Sequence, residues 1–270
     1  MNKLENIASK SPVSRESCRP GSISQAVAGR AGRENMNIVH PSIVTARKAD
    51  SPVSEEYKKL KSRIVDLTTK NGFQNTLAVT SSVSDEGKSI TAVNLAVSLS
   101  QDYDRAVILI DADMRRPTLH TYLNRTPGKG LSDCLNGGID PDSALMPIGS
   151  NKLSFLPAGK KINDPVEFFA SRRMQTFMED LKKRYADRYI IVDTPPALLF
   201  AETKKISAFA DGVILVVKEG RATLENISEA IDILKGSNVM GIVYNNASLH
   251  NLNGSSYYHY YGHYYGQRKK

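Results

Sequence analysis

Tryptophan is absent from this chain, and only two cysteines, Cys18 and Cys134, occur among its 270 residues. Two cysteines exclude a disulfide framework and a cysteine-rich metal site. No apolar run approaches the roughly 18 residues that a membrane-crossing helix needs. The opening, MNKLENIASK, has no apolar segment of the secretory kind. These absences together predict a cytoplasmic protein. Acidic surplus is also missing: the formal net charge is +8. With 40% hydrophobic and 24% charged residues, the chain has enough apolar material for one globular domain with some tail to spare.

The positive charge lies at the ends. Residues 1–50 hold eight Lys/Arg against four acids, and residues 247–270 hold three Lys/Arg and no acid. The middle is therefore almost neutral, which argues against a nucleic-acid-binding core. A basic end suits anionic lipid, an acidic partner, or simply a solvated tail. Residues 1–50 mix Ser, Arg, Gly, Ala and Pro without helical or strand period, so they are expected to be a disordered arm. Order is expected to begin near Ser51. A helix follows, with Ser54 as its cap, Glu55 and Glu56 at its positive end, and Tyr57, Leu60, Ile64 and Leu67 on one face.

Beyond that helix, short apolar runs at 77–82, 106–113, 152–159, 189–196, 212–220 and 239–246 predict strands. Helices are expected at 89–100, 165–185 and 223–235; the last carries Leu224, Ile227, Ile231 and Leu234 on one face. Region 117–150 contains Pro127-Gly128, Gly130 and Gly137-Gly138 and is expected to be loop-rich. Strands apolar on both faces and alternating with helices imply a doubly wound α/β fold with a mostly parallel sheet. The folded domain is expected to span 51–247, followed by a flexible tail at 248–270 that holds six of the 12 tyrosines.

The first strand runs into Ser82-Val83-Ser84-Asp85-Glu86-Gly87-Lys88-Ser89, a phosphate loop in which Ser82 stands where the first Gly is usual. Backbone N–H groups from Ser84 onward can wrap a phosphate at a helix N-terminus. The predicted nucleotide contacts are Ser84, Asp85, Glu86, Gly87, Lys88, Ser89 and Ile90. Lys88 would reach the β- and γ-phosphates, and the Ser89 hydroxyl would sit on Mg²⁺. Two further strands end in acids: Asp111 and Asp113, two apart and expected on one face, and Asp193. One such acid is often only a turn or cap residue. Three of them should converge on the loop, because ligands of open α/β sheets lie at the carboxyl ends of strands. There they can hold Mg²⁺ through its waters, or take a proton from an attacking hydroxyl.

Three segments, S-S-V-S-D-E-G-K-S, V-I-L-I-D-A-D-M-R-R-P and I-I-V-D-T-P-P, resemble those of the bacterial tyrosine autokinases (BY-kinases) of exopolysaccharide and capsule export. The resemblance runs from about Ser51 to the C-terminus and implies a P-loop NTPase architecture with ATP and Mg²⁺. It implies Lys88 and Asp111 as the catalytic pair, Asp111 being the base, with Ser89, Asp113 and Asp193 around the metal. It places Asn245 near the adenine. It makes the tail tyrosines, Tyr257, Tyr258, Tyr260, Tyr261, Tyr264 and Tyr265, the phosphoacceptors. In this chain Ser84 and Asp85 replace the family's Pro and Gly. The family's oligomerising Glu-x-x-Arg-x-x-Arg is represented by Glu55, Lys58 and Lys61, which keeps the charge and loses the planar guanidinium fork.

The resemblance also implies partners: a membrane polysaccharide co-polymerase on a separate chain, a tyrosine phosphatase, and other copies of the protein in a ring, with no nucleic acid. The protein would then work at the inner face of the plasma membrane through that partner. A eukaryote-type kinase is excluded, since no His-Arg-Asp, Asp-Phe-Gly or G-x-G-x-x-G occurs. The alternative is a Min/Par-type ATPase that positions a partner on a surface. Those proteins resemble K-G-G-x-G-K-[ST], and Val83 stands here where their first Lys stands. That scheme gives the tyrosine tail no role. An idle adaptor retaining only the fold is disfavoured by the presence of Lys88, Ser89 and all three acids.

Overall fold

A computed structural model describes residues 40–47, 51–70, 72–102, 104–149 and 152–248. Most of the expected basic arm and all six tail tyrosines lie outside the described residues. Seven strands form one sheet: β1 (Thr76–Ser81), β2 (Ala106–Asp111), β3 (Met146–Ile148), β4 (Leu153–Leu156), β5 (Arg188–Asp193), β6 (Gly212–Lys218) and β7 (Val239–Asn245). Their order across the sheet is β3-β4-β2-β5-β1-β6-β7, parallel throughout except for β3, which pairs antiparallel with β4 at one edge. The described helices are α1 (Val44–Arg47), α2 (Pro52–Thr69), α3 (Lys88–Ser100), α4 (Leu119–Tyr122), α5 (Leu131–Gly137), α6 (Pro141–Ala144), α7 (Pro165–Ala170), α8 (Arg172–Arg184), α9 (Glu202–Ser207) and α10 (Leu224–Ile233).

The central strands are apolar throughout because the two faces of the sheet feed two cores. Along β2, Val107 and Leu109 join Leu77, Val79, Ile191 and Val216 against α2 and α3. Ile108 and Ile110 join Ile190 and Val192 against α5, α7, α8 and α9. Successive side chains of a strand point to opposite faces, so an alternating pattern would have left one core empty. Helix α3 is buried almost along its whole length, its apolar residues interspersed with small or hydrogen-bonded polar ones such as Asn94. Among the described residues no helix is long and apolar enough to cross a membrane.

Packing begins upstream of the expected boundary. Ile43 is fully buried, and α1 docks on α3 through Thr45, whose N–H and hydroxyl both donate to the Asn94 side-chain oxygen (3.2 and 3.0 Å). Ile43 and its apolar neighbours come only as two short pairs, Ile38-Val39 and Ile43-Val44, which give no period to read, so only the tertiary contact reveals it. The cap of α2 is Ser51 rather than Ser54: the Ser51 hydroxyl accepts from Ser54 N–H, and Pro52 occupies the first turn.

The helix expected over 165–185 is two helices. Ser171 is extended (φ −69°, ψ 146°) and its hydroxyl accepts from Met174 N–H, starting α8 afresh. Region 117–150, expected as loop, holds α4, α5, α6 and β3, all too short to show a period. Helix α9 is too short in the same way. On α10 the apolar stripe is covered unevenly: Leu224 is 82% exposed and Ile231 is exposed, whereas Leu234, just past the helix, packs with Ala78 and Val213 of the sheet.

Replacing Ile43 by Ala removes a fully buried side chain, so urea unfolding should show a loss of about 2–5 kcal/mol. A chain cut immediately before Ser51 should lose at least as much. If neither change moves the unfolding midpoint, the segment before α2 contributes nothing to the domain.

Candidate nucleotide and catalytic site

Three adjacent strands, β2, β5 and β1, deliver the charged groups. The last residues of β2 and β5, Asp111 and Asp193, are register partners. Beyond the end of β1 the chain turns through the phosphate loop into α3, which begins at Lys88. Gly87, just before it, has φ +90° and offers no side-chain cap, so the first N–H groups of α3 are left for an anion. The glycine is required twice over. Its backbone is left-handed, and a Cβ would lie 2.1 Å from Asn245 Nδ2.

The sequence-predicted charges do converge. Lys88 Nζ donates to Asp113 Oδ2 at 2.9 Å and lies 3.9 Å from Asp193 Oδ2. Ser89 Oγ donates to the same Asp193 oxygen at 2.6 Å. Asp111 Oδ2 accepts from the N–H groups of Thr118 and Leu119, both at 3.1 Å, and so holds the start of α4. The other oxygens, Asp111 Oδ1 and Asp193 Oδ1, are buried and make no hydrogen bond. Asp113 is not on the strand, contrary to the expectation from spacing. The strand ends at Asp111, and Asp113 sits in the following turn, where its Oδ1 accepts from Arg116 N–H at 3.0 Å.

Burial raises the pKa of Asp111 well above the carboxylate range, and the neighbouring Asp193 raises it further. Asp193 is pushed up to about 6, first by burial, with Lys88 and Ser89 pulling the other way. Burial alone would lower Lys88; Asp193 and Asp113 reverse that and keep its ammonium charged. The unpartnered Asp193 oxygen and the Ser89 hydroxyl are hard oxygen donors that fit Mg²⁺, and the unpartnered Asp111 oxygen is open to a proton. Among the described residues no three acidic, His or Cys side chains cluster as a closed metal cage. Mg²⁺ in general keeps several waters and takes part of its coordination from substrate phosphates.

Sequence motifs missed part of the site. The cleft, about 320 Å³, is lined not only by Lys88 and Asp113 but by Arg115, Arg116, Tyr122 and Phe200. Arg115 is held by the buried Glu202 (Nε to Oε1, 2.5 Å) and lies over the Phe200 ring at 4.6 Å. Asp85, where the family has Gly, has φ +64° and sits between two guanidinium groups. Arg116 Nη1 is 3.8 Å and Arg221 Nη2 3.5 Å from its carboxylate, and Arg221 Nε also donates to Ser84 O. Nothing local signals Arg221, which is more than a hundred positions along the chain. Arg115 and Arg116 stood in the D-A-D-M-R-R-P segment, and their guanidinium chemistry was the available signal.

Asn245 reaches the loop: its Nδ2 donates to Glu86 O at 2.8 Å. Glu55, Lys58 and Lys61 lie on α2 and do not line the cleft. Glu55 and Lys58 pair with each other, and Lys61 Nζ meets Asp102 at 2.6 Å.

The titration of Asp193 sets a measurable pH dependence. Its folded pKa of about 6 lies above the unfolded value, so the stability it contributes is complete below about pH 4 and is lost as pH rises through 6. Asp193→Asn, neutral throughout, should be the more stable chain without nucleotide at pH 7.5, by on the order of 1–3 kcal/mol. The advantage should vanish near pH 4. A pH-independent difference in denaturant midpoint would contradict the assignment.

The profile of a family described as "ParA: NUBPL iron-transfer P-loop NTPase" matches residues 72–270. The chain is 30% identical over 222 residues to the tyrosine-protein kinase YwqD of Bacillus subtilis, covering 82% of this chain and 91% of that one. It is 30% identical over 209 residues to the tyrosine-protein kinase CpsD of Streptococcus agalactiae, covering 76% and 88%. The crystal structure of a chimaeric protein, CapA2B2, superposes with a TM-score of 0.70 at 25% identity, over 75% of this chain and 88% of that one. Within the P-loop NTPases, this chain belongs to the family of bacterial tyrosine-protein kinases.

Proposed function

We propose that the protein transfers the γ-phosphoryl group of ATP to tyrosine, in the first place to Tyr257, Tyr258, Tyr260, Tyr261, Tyr264 and Tyr265 of its own chain type. The observation that carries this reading is the Asp111 carboxyl: buried, raised in basicity, with Oδ1 unpartnered beside the Lys88 cluster. A base meant for a phenol needs a pKa above that of an ordinary aspartate, and burial supplies it.

In this scheme the exposed N–H groups at the start of α3 and the Lys88 ammonium hold the phosphates. Ser89, Asp193 and Asp113 would hold Mg²⁺, which neutralises phosphate charge when bound. The tyrosine oxygen attacks the γ-phosphorus while the bond to the β–γ bridging oxygen breaks. Asp111 Oδ1 takes the phenolic proton, and ADP carries away the electron pair. Lys88 stabilises charge on the transferred group in a loose transition state, where positioning and electrostatics account for most of the rate. Asn245, at the loop's far side, would border the adenine.

The wider setting follows from the relatives. A capsule or exopolysaccharide system, a membrane co-polymerase as activating partner and a tyrosine phosphatase as its opponent fit a kinase of this family. The similarity to the chimaeric protein CapA2B2 supports a partner of the CapA kind. Glu55, Lys58 and Lys61 would join neighbours into a ring, exchanging their present contacts for ones between copies. The folded domain at 40–248 would sit between a basic arm and the acceptor tail.

The deciding experiment mixes a chain cut after Ser256, which keeps the site and loses the tail, with full-length Lys88→Met, which keeps only the tail. Phosphotyrosine on the Lys88→Met chain is the expected result and establishes transfer between copies. Labelling confined to intact wild type, at a rate independent of concentration, would mean transfer within one chain. ATP hydrolysis without any phosphotyrosine would favour the surface-positioning ATPase. Separately, Asp111→Asn should retain Mg-ADP binding while phosphotyrosine formation falls by about 10²–10⁴. Unchanged transfer would remove Asp111 from the base role.

A further inference from the structure

Glu86 is a fully buried carboxylate in the phosphate loop, and among the described residues it forms no ion pair with any Lys, Arg or His. A charge withdrawn from water without a cation is costly unless hydrogen bonds replace the lost hydration. Here both oxygens are met by main-chain donors. Val83 N–H donates to Oε2 at 2.8 Å, and Lys218 N–H, at the end of β6, donates to Oε1 at 3.2 Å. The first bond closes a turn within the loop, three residues back. The second crosses 132 positions of sequence to the sheet.

The main chain of the same residue is tied from the other side. Glu86 O accepts from Asn245 Nδ2, and Asn245 is the register partner of Lys218 across β6 and β7. Two hydrogen bonds therefore stitch one loop residue to the carboxyl ends of two neighbouring strands, and the third closes the loop on itself. The missing Cβ of Gly87 leaves the space that the Asn245 amide fills. Three residues after Asn245, the chain is held again at the same corner. Ser248 donates its N–H to the Glu219 carboxylate, and its hydroxyl donates to the other Glu219 oxygen at 3.2 Å.

We propose that Glu86 is a positioning residue. Its carboxylate, with Asn245, folds the phosphate loop into its anion-accepting shape and fixes that loop to the strand ends from which the C-terminal segment departs. Glu86 does not reach the nucleotide itself. Its oxygens are consumed by Val83 and Lys218, and the loop N–H groups beyond it stay free for phosphate. An anionic side chain beneath an anion-binding loop would repel the ligand, so the gain in preorganisation has to outweigh that repulsion. Strong, charge-assisted bonds to two N–H groups meet that requirement. The inference rests on the loop being the phosphate site, and extends it from the wrapping main chain to the side chain that shapes it.

The test uses the full-length chain with Glu86→Gln and Glu86→Ala. Mg-ADP binding is measured by calorimetry at a temperature where circular dichroism shows every variant folded. A charged hydrogen bond lost from a preorganised loop is worth about ten-fold or more in affinity. Glu86→Ala should therefore weaken Mg-ADP at least about ten-fold. Glu86→Gln, which keeps one acceptor and sets an amide against the other N–H, should fall between Glu86→Ala and wild type. Hydrogen exchange should quicken at Val83 and Lys218 in both.

A purely structural role would lower melting temperatures and leave the affinity of the folded variants at the wild-type value; that result overturns the proposal. Should Glu86→Ala fail to fold, Glu86→Gln decides by the same criterion. Wild type that binds Mg-ADP but makes no phosphotyrosine would refute the kinase reading and leave this one standing. Wild type that binds no Mg-ADP refutes both.

Discussion

The structure turns on a compact group of charges taken out of water at the ends of three neighbouring parallel strands. Lys88 lies between Asp113 and Asp193, Asp193 is fully buried, and Asp111 stands opposite it in the register of the sheet. Buried acids this close resist ionising together, and the ammonium between them is what makes the arrangement tolerable. The two apolar cores, one on each face of the sheet, supply the stability that this electrostatic cost draws down. Function explains why the cost persists. Buried oxygens left without a protein partner are the groups able to take a metal ion or a proton.

Access to that cluster is shaped by arginines from separate parts of the chain. Arg116 follows β2, Arg221 follows β6, and both approach Asp85 on the phosphate loop. Asp85 adds an acid where an anion should bind, and these two guanidinium groups counter it at the surface. Such exposed pairs are individually weak, so they can exchange partners when a phosphate arrives. Arg115 differs. Glu202 is buried beneath it and Phe200 lies against it, which fixes one wall of the cleft.

The parallel sheet also places the chain's exit. Because β7 runs parallel to β6, its end at Asn245 lies at the same side of the sheet as the phosphate loop, which Asn245 touches. Residues that follow it start from the nucleotide side of the domain. The phosphoryl transfer proposed above would gain from this topology, since the described chain ends beside the site.

Sequence alone determined the parts that depend on short-range pattern. Uniformly apolar runs separated by helical periods required a parallel sheet covered on both faces. The phosphate loop and the strand-end acids Asp111 and Asp193 followed from motif and topology, because strand ends in such sheets face one way. Short elements escaped, since α4, α5, α6, α9 and β3 contain too few residues to express a period. The apolar stripe of α10 misled, because amphipathicity reports which residues could be covered and not whether a further layer exists to cover them. Only the tertiary structure decided that Ile43 belongs to the core, that Asp113 turns back to Lys88, and that Glu86 is bonded to Lys218. Each of these is a contact between distant segments, and its energy depends on distances that neither composition nor spacing encodes.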